Sequence, residues 1–302
     1  MVRTALLAAL LAGCAARHPA CFDGGPPPAW RVTAADGTCL QGYRWSPDGP
    51  PRASVVLVHG IRDHALRYEP LATELTAAGF AVVAQDHRGH GRSGGPRQSF
   101  DAIATLEDDV ALAVDQARAA APDRPVFLFG HSMGGLVATT YVLDHPDEIA
   151  ALALTGPALQ LPDDVKPVEI RAARLLSRLT PGLHVQDIDD TAFVREPAAK
   201  AELAADPLID HGKLPARSAG ALVRGIDAVQ ARMAEVRLPV LALHGSEDPA
   251  TNPAGSRALI ARAASTDKTL HIVEGAAHDL LHEPEQAAVR AELVGWFAAH
   301  AP

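Results

Sequence analysis

Ser132 stands in Gly130-His131-Ser132-Met133-Gly134, a G-x-S-x-G pattern. A serine can attack an acyl carbon when the chain holds it on a sharp strand-to-helix turn, with small neighbours that let the backbone bend. The flanks have that form: PVFLF at 125–129 is a strand-like apolar run, and GLVATTYVL at 135–143 has helical character. A helix start there would also aim free N–H groups at developing negative charge. The pattern alone is weak, because at ~7% Gly and a similar share of Ser it arises by chance in about one such chain in ten. Its place between strand and helix is what makes Ser132 a candidate nucleophile.

A serine needs a base, and the base needs an acid to orient it. In folds with this turn they follow in the order serine, acid, histidine, on loops after later strands. The acid candidates are Asp248 and its neighbour Glu247, in HGSEDP directly after the run PVLAL at 239–243. The base candidate is His278, in EGAAHDL just past TLHIV at 269–273. His271 lies inside that run and reads as structural, and His282 stands at the approach to the last helix. The oxyanion donors should be backbone: the N–H of Met133 and that of Ile61, in the His59-Gly60-Ile61 loop after SVVLV at 54–58. His59 and His64 invite a metal reading, but no carboxylate or cysteine set beside them has ligand spacing. No metal or other cofactor is expected.

These loops need a scaffold. Short apolar runs at 54–58, 81–84, 125–129, 151–154, 239–243 and 269–273 read as buried strands. Helical patterns lie between most of them, as at 101–120, where Ile103, Leu106, Val110 and Val114 share a face, and at 284–300, opened by Pro284. The fold class is therefore α/β, a mainly parallel sheet covered on both faces. Asp36-Gly37 between two strand-like runs signals a hairpin at the start. The stretch 157–215 breaks the alternation: it offers several prolines, no convincing strand and one helix near 166–179. It reads as a lid over the carboxyl edge of the sheet, where such folds bind ligands. In its helix Val168, Ala172, Leu175, Leu176 and Leu179 form an apolar face beside Arg171, Arg174 and Arg178. The preferred reading is a packed helix with a solvated charged face; the sharper one is acyl-chain entry at an anionic lipid surface.

The chain of 302 residues suits one large domain, and a net charge of −9 with scattered Lys and Arg speaks against a nucleic-acid partner. Its first residues differ from the rest. After Arg3, an apolar run from Ala5 to Ala12 is too short to span a bilayer but has the length of a signal-peptide core. It ends in Leu11-Ala12-Gly13-Cys14, which resembles a bacterial lipobox. That resemblance implies removal of residues 1–13, lipidation of Cys14, and a mature protein held outside the cytoplasm on a membrane surface. A Pro- and Gly-rich tether over 14–28 leads to the domain, 29–302. In that compartment Cys21 and Cys39 are expected to pair, closing a loop that contributes about 3 kcal/mol.

The chain resembles the monoacylglycerol lipase and lysophospholipase branch of the α/β-hydrolases, the serine aminopeptidase S33-like group. The likeness runs from about residue 30 to the end, through HGIRDHALRYEPLATEL, QDHRGHGRSGG, GHSMGG, DPLI at 206–209, HGSEDP and EGAAHDLLHE. It implies the α/β-hydrolase fold and hydrolysis of a small lipid ester with one acyl chain. It also implies a triad of Ser132, Asp248 and His278, with Ile61 and Met133 at the oxyanion hole. Ala65 departs from the pattern, since many relatives carry Ser after the histidine matching His64. Acyl transfer, carbon–carbon bond hydrolysis and perhydrolysis use the same triad and remain alternatives; a non-catalytic binder of apolar ligands is a third class. Asp86 and Arg88 read as braces of the neighbouring loop.

Overall fold

The computed structural model describes Cys21 and residues 29–302. The signal segment 1–13, Cys14 and the rest of the tether lie outside the described residues. The elements run β1 (Ala29–Thr33), β2 (Cys39–Trp45), β3 (Ala53–Val58), α1 (Glu69–Ala77), β4 (Phe80–Gln85), α2 (Ile103–Ala120), β5 (Val126–His131), α3 (Met133–Asp144) and β6 (Ala151–Thr155). They continue through α4 (Pro167–Leu179), β7 (His184–Gln186), α5 (Pro197–Ala205), β8 (Leu214–Pro215), α6 (Ala216–Arg232), β9 (Val240–Gly245), α7 (Pro253–Arg262), β10 (Lys268–Val273) and α8 (Gln286–His300).

Each apolar run of the sequence is a strand, and eight strands make one sheet in the order β1-β2-β4-β3-β5-β6-β9-β10. From β4 to β10 the neighbours are parallel; β1 and β2 form the antiparallel hairpin turned at Gly37, whose φ is 89°. The chain has the α/β-hydrolase fold. Side-chain alternation divides the core in two. Val56, Val58 and Leu128 pack with α2, α3 and α6 on one face. Val55, Leu57, Phe127 and Phe129 pack with α1 and α8 on the other, where Phe127 stacks on Phe297 at 5.6 Å.

Because the parallel strands point one way, the loops after β3, β4, β5, β6, β9 and β10 gather at one edge of the sheet. The start of β2 reaches that edge too. Gly42 pairs with Gln85, the last residue of β4, so Cys39 extends past it and its carbonyl accepts from Gly94 N at 2.8 Å. Cys39 is joined there to Cys21 by a disulfide.

Four expectations need correction. Helix α2 begins at Ile103, after an extended Ala102, and α8 begins at Gln286, so Pro284 lies outside it. The stretch 157–215 does hold strands: β7 and β8 form a two-residue-wide antiparallel pair through His184–Pro215 and Gln186–Leu214. The apolar face of α4 is not packed. None of its residues is buried, and Val168, Leu175 and Leu179 are 64%, 56% and 69% exposed. The helix rests on α6 through its polar side, with Arg174 paired to Asp227 and Ser177 Oγ accepting from Arg224.

Candidate active site

Ser132 joins β5 to α3 with φ 54° and ψ −123°, a left-handed region that costs a non-glycine residue about 1–3 kcal/mol. The close approach behind it explains the glycines. A Cβ on Gly134 would fall 2.2 Å from Val58 O, and one on Gly130 would fall 2.6 Å from Gly134 O. The turn is fixed by its backbone: Ser132 N donates to Thr155 O, while Ser132 O accepts from Gly135, Leu136 and Ala158. Gly60 faces it, with space for a Cβ ending 3.0 Å from Ser132 Cβ. This brings the loop carrying Ile61 against the nucleophile candidate. Among the described residues, the N–H groups of Ile61 and Met133 have no backbone acceptor outside regular elements.

His278 and Asp248 meet on the loops after β10 and β9. His278 Nδ1 lies 2.7 Å from Asp248 Oδ2, and both side chains are almost wholly buried. Burial works against a charged imidazole, but the Asp248 carboxylate and its hydrogen bond outweigh it and raise the His278 pKa. Burial likewise works against the Asp248 anion, yet His278 and hydrogen bonds from His244 and His278 hold its pKa far below the usual carboxylate range. The carboxylate therefore stays charged while the histidine gains basicity. Glu247 is exposed, which removes it as the acid. His271 pairs with Glu292 on the outside of the sheet, and His282 pairs with Asp279.

The pair sits beside the elbow. A Cβ on Gly156, the residue after Thr155, would fall 3.1 Å from His278 Nδ1, and the rings of His131 and His278 are 4.8 Å apart. Burial and then the nearby His278 push His131 down to about 4, so it stays neutral. No hydrogen bond joins Ser132 Oγ to His278 among the described residues; such contacts commonly tighten only when substrate binds.

Other groups gather here that spacing did not single out. Thr251 Oγ1 lies 2.8 Å from Asp248 Oδ2, and the N–H groups of Ala250 and Thr251 donate to Oδ1 at 2.8 and 2.9 Å. His244, fully buried, brings Nε2 to 3.1 Å from Asp248 Oδ2 while Nδ1 lies 2.7 Å from Ser256 Oγ. With the serine donating to Nδ1, Nε2–H donates to the carboxylate. The four-residue spacing from His244 to Asp248 was the available signal. Below the oxyanion loop, burial keeps His59 far below its ordinary pKa, His87 at about 3 and His90 at about 4. His59 Nε2 accepts from His87 N at 2.8 Å, and no group of His, Cys, Asp and Glu among the described residues is placed to hold a metal.

The chain between β6 and β9 covers this edge. Phe193 stands edge-on to His278 at 5.0 Å, and Arg195 holds Glu283 and Glu285. His64 Nε2 lies 2.8 Å from Asp206 Oδ2, and Arg62 donates to the carbonyls of Ile188 and Gly212. Asp86 braces the loop after β4, accepting from Ala65 N and Arg92 N at 2.8 Å, and Arg88 forks onto Asp109.

The family model described as Serine aminopeptidase, S33 matches residues 49–285. The chain belongs to this family. Among its relatives, a monoacylglycerol lipase of Mycolicibacterium smegmatis is 40% identical over 256 residues, covering 85% of this chain and 91% of that one. A human monoglyceride lipase is 34% identical over 250 residues, covering 82% of each. In three dimensions this S33 chain is similar to the monoacylglycerol lipase of Paleococcus ferrophilus, with a TM-score of 0.80 and 30% identity over 87% of this chain and 99% of that one.

Proposed function

We propose that this S33 chain is a serine hydrolase of carboxylic esters, cleaving monoacylglycerol- or lysophospholipid-like substrates through an acyl-enzyme on Ser132. The observation that carries the reading is the buried His278–Asp248 pair beside the strained turn of Ser132. The relatives named monoacylglycerol lipase support the substrate class.

With Nδ1–H committed to Asp248, His278 keeps Nε2 to take a proton. Ser132 Oγ attacks the ester carbonyl as that proton leaves. The carbonyl oxygen becomes an oxyanion held by the N–H groups of Ile61 and Met133, worth about 2.7–4 kcal/mol per donor in such sites. Collapse breaks the C–O bond, and His278 returns the proton to the departing alcohol. Water then repeats the cycle on the acyl-enzyme, releasing the fatty acid and restoring Ser132. Asp248 orients the imidazole and stabilises its charged form without being protonated. Residues 157–215 act as the lid. Upstream, Cys14 carries the lipid that follows removal of residues 1–13, and the tether holds the domain outside the cytoplasm at a membrane surface.

A fluorophosphonate probe should label Ser132 in the wild type, and monoacylglycerol turnover should vanish with it. Hydrolysis near the wild-type rate in folded Ser132→Ala would overturn the assignment. Turnover of lysophospholipids but not monoacylglycerols, at chain lengths matched between the two, would correct the head group.

A further inference from the structure

Among the described residues, the large exposed apolar side chains are Val168, Leu175, Leu179 and Leu183. All four fall within one short stretch of the chain. Scattered exposed apolar residues are ordinary, but a contiguous set marks a surface that meets something apolar. Along α4, Val168, Leu175 and Leu179 recur at helical spacing, with Arg171 and Arg178 exposed beside them. That is the pattern of a helix lying in a lipid interface.

The disulfide says how that surface would meet a bilayer. Cys39 extends beyond the end of β4 at the edge that also carries Ser132, and the chain enters the fold through Cys21 there. In strand order β2 is followed by β4, β3 and β5, so the bridge stands roughly 14 Å across the edge from the elbow at about 4.8 Å per strand. From Cys14 to Cys21 the chain can span at most about 25 Å. A domain of this size has a radius of gyration near 19 Å and so a diameter of roughly 50 Å. Without the bridge, the next described residue after Cys21 is Ala29, and the greatest reach from Cys14 doubles to about 50 Å, roughly a full domain diameter. A short reach from one edge forbids the opposite edge from touching the membrane; the longer one permits any orientation.

We infer that the Cys21–Cys39 disulfide orients the anchored domain, bringing the N-terminal lipid out at the carboxyl edge so that the apolar stripe of α4 lies on the same phospholipid bilayer. This rests on the reading of Cys14 as lipidated. Anchor and helix then give two points of contact, and the second is gained at a high effective concentration because the first is already made. The substrate, a lipid with one acyl chain, would leave the bilayer beside the lid instead of crossing water.

The test uses full-length protein on vesicles of phosphatidylcholine and phosphatidylglycerol. A photo-crosslinking amino acid replaces Leu175 in one preparation and Ala150, exposed at the opposite edge before β6, in another. Lipid adducts should form several-fold more at 175 than at 150. Cys21→Ser with Cys39→Ser should abolish that preference while leaving flotation with the vesicles unchanged. If that variant loses turnover of a short soluble ester, and so its fold, a second variant with a dozen Gly and Ser residues inserted between Cys14 and Cys21 keeps the bridge and should lose the preference equally. Equal crosslinking at both positions in the intact protein, or a preference that survives the longer reach, overturns the inference. Protein that fails to float shows the lipidation reading wrong instead. Coupling the Cys14 thiol to a maleimide lipid then puts the orientation to the same test.

Discussion

The edge that carries Ser132, Asp248 and His278 and the chain that covers it are built differently. Around Asp248 every oxygen is held: Oδ1 by two backbone N–H groups, Oδ2 by His278, Thr251 and His244. In the covering chain, α4 has no buried residue and sits on α6 through exposed polar contacts. Proton transfer needs groups fixed within fractions of an ångström, which dense burial supplies. A cover must admit a lipid, which an element with little buried area can do at small cost. The joints between the two are polar and include His64 to Asp206, Arg62 to Gly212, and Arg195 to Glu283.

The largest effects should come from the edge. Ser132→Ala and His278→Ala should each lower kcat by about 10⁴-fold or more, and the double variant should be hardly worse, since the two work as a unit. Steady-state kinetics with probe labelling measures this, and additive losses would break the picture of one rigid constellation. Asp248→Asn should cost up to about 10⁴-fold. It should also move the acid limb of kcat/KM against pH. His278 must be neutral to act, and its pKa is raised above 6.5 by Asp248, so the wild-type limb lies above that value and the variant's below it. A limb that stays put would detach Asp248 from the base.

His244 sharpens the contrast within the edge. His244→Leu removes one of the three partners of Asp248 Oδ2 and should lower kcat about tenfold with KM unchanged, whereas His244→Gln keeps a donor and should recover most of it. For the cover, Leu175→Ser with Leu179→Ser should shift Tm by no more than about 2 °C, while Leu128→Ala in β5 should cost about 2–5 kcal/mol. Calorimetry compares them, and a large loss in the α4 variant would mean its stripe is packed after all. The smallest effect lies on α2. Burial, then the neighbouring Asp144, raises Glu107 to about 7. Its folded pKa exceeds its unfolded one, so that stability is complete at low pH and fades as pH rises from about 4.5 through 7. Glu107→Gln should therefore gain Tm relative to wild type at pH 8 and not at pH 4.

Sequence reading succeeded where burial writes a local pattern. Runs such as SVVLV and PVFLF have no exposed face, and the loops that follow them in a parallel sheet must share an edge, so Ser132, Asp248 and His278 could be placed from order alone. It failed where structure depends on distant partners. β7 and β8 are too short to carry any alternation and exist through each other. Helix α6 is interrupted by Gly220 and Gly225, which weaken its propensity, yet both are packing sites. A Cβ on Gly225 would fall 2.4 Å from Ile103 Cγ1, and one on Gly220 would fall 2.5 Å from Ser177 Oγ. The stripe of α4 misled in the opposite way, since apolar spacing alone cannot tell a core face from one left open. His244 offered only its four-residue spacing to Asp248, and Thr251 gave no signal, because a second group on a buried carboxylate is a matter of contact and not of order.

The left-handed backbone at Ser132 sets thermal robustness and activity against each other at one codon. Glycine adopts that conformation without strain, so Ser132→Gly should unfold at a higher temperature than the wild type while hydrolysing nothing. A mutant library sorted only for surviving heat would therefore favour loss of this serine. Sorting that asks for turnover at the same time would keep the serine and accumulate its gains elsewhere, at positions such as the loosely seated α4.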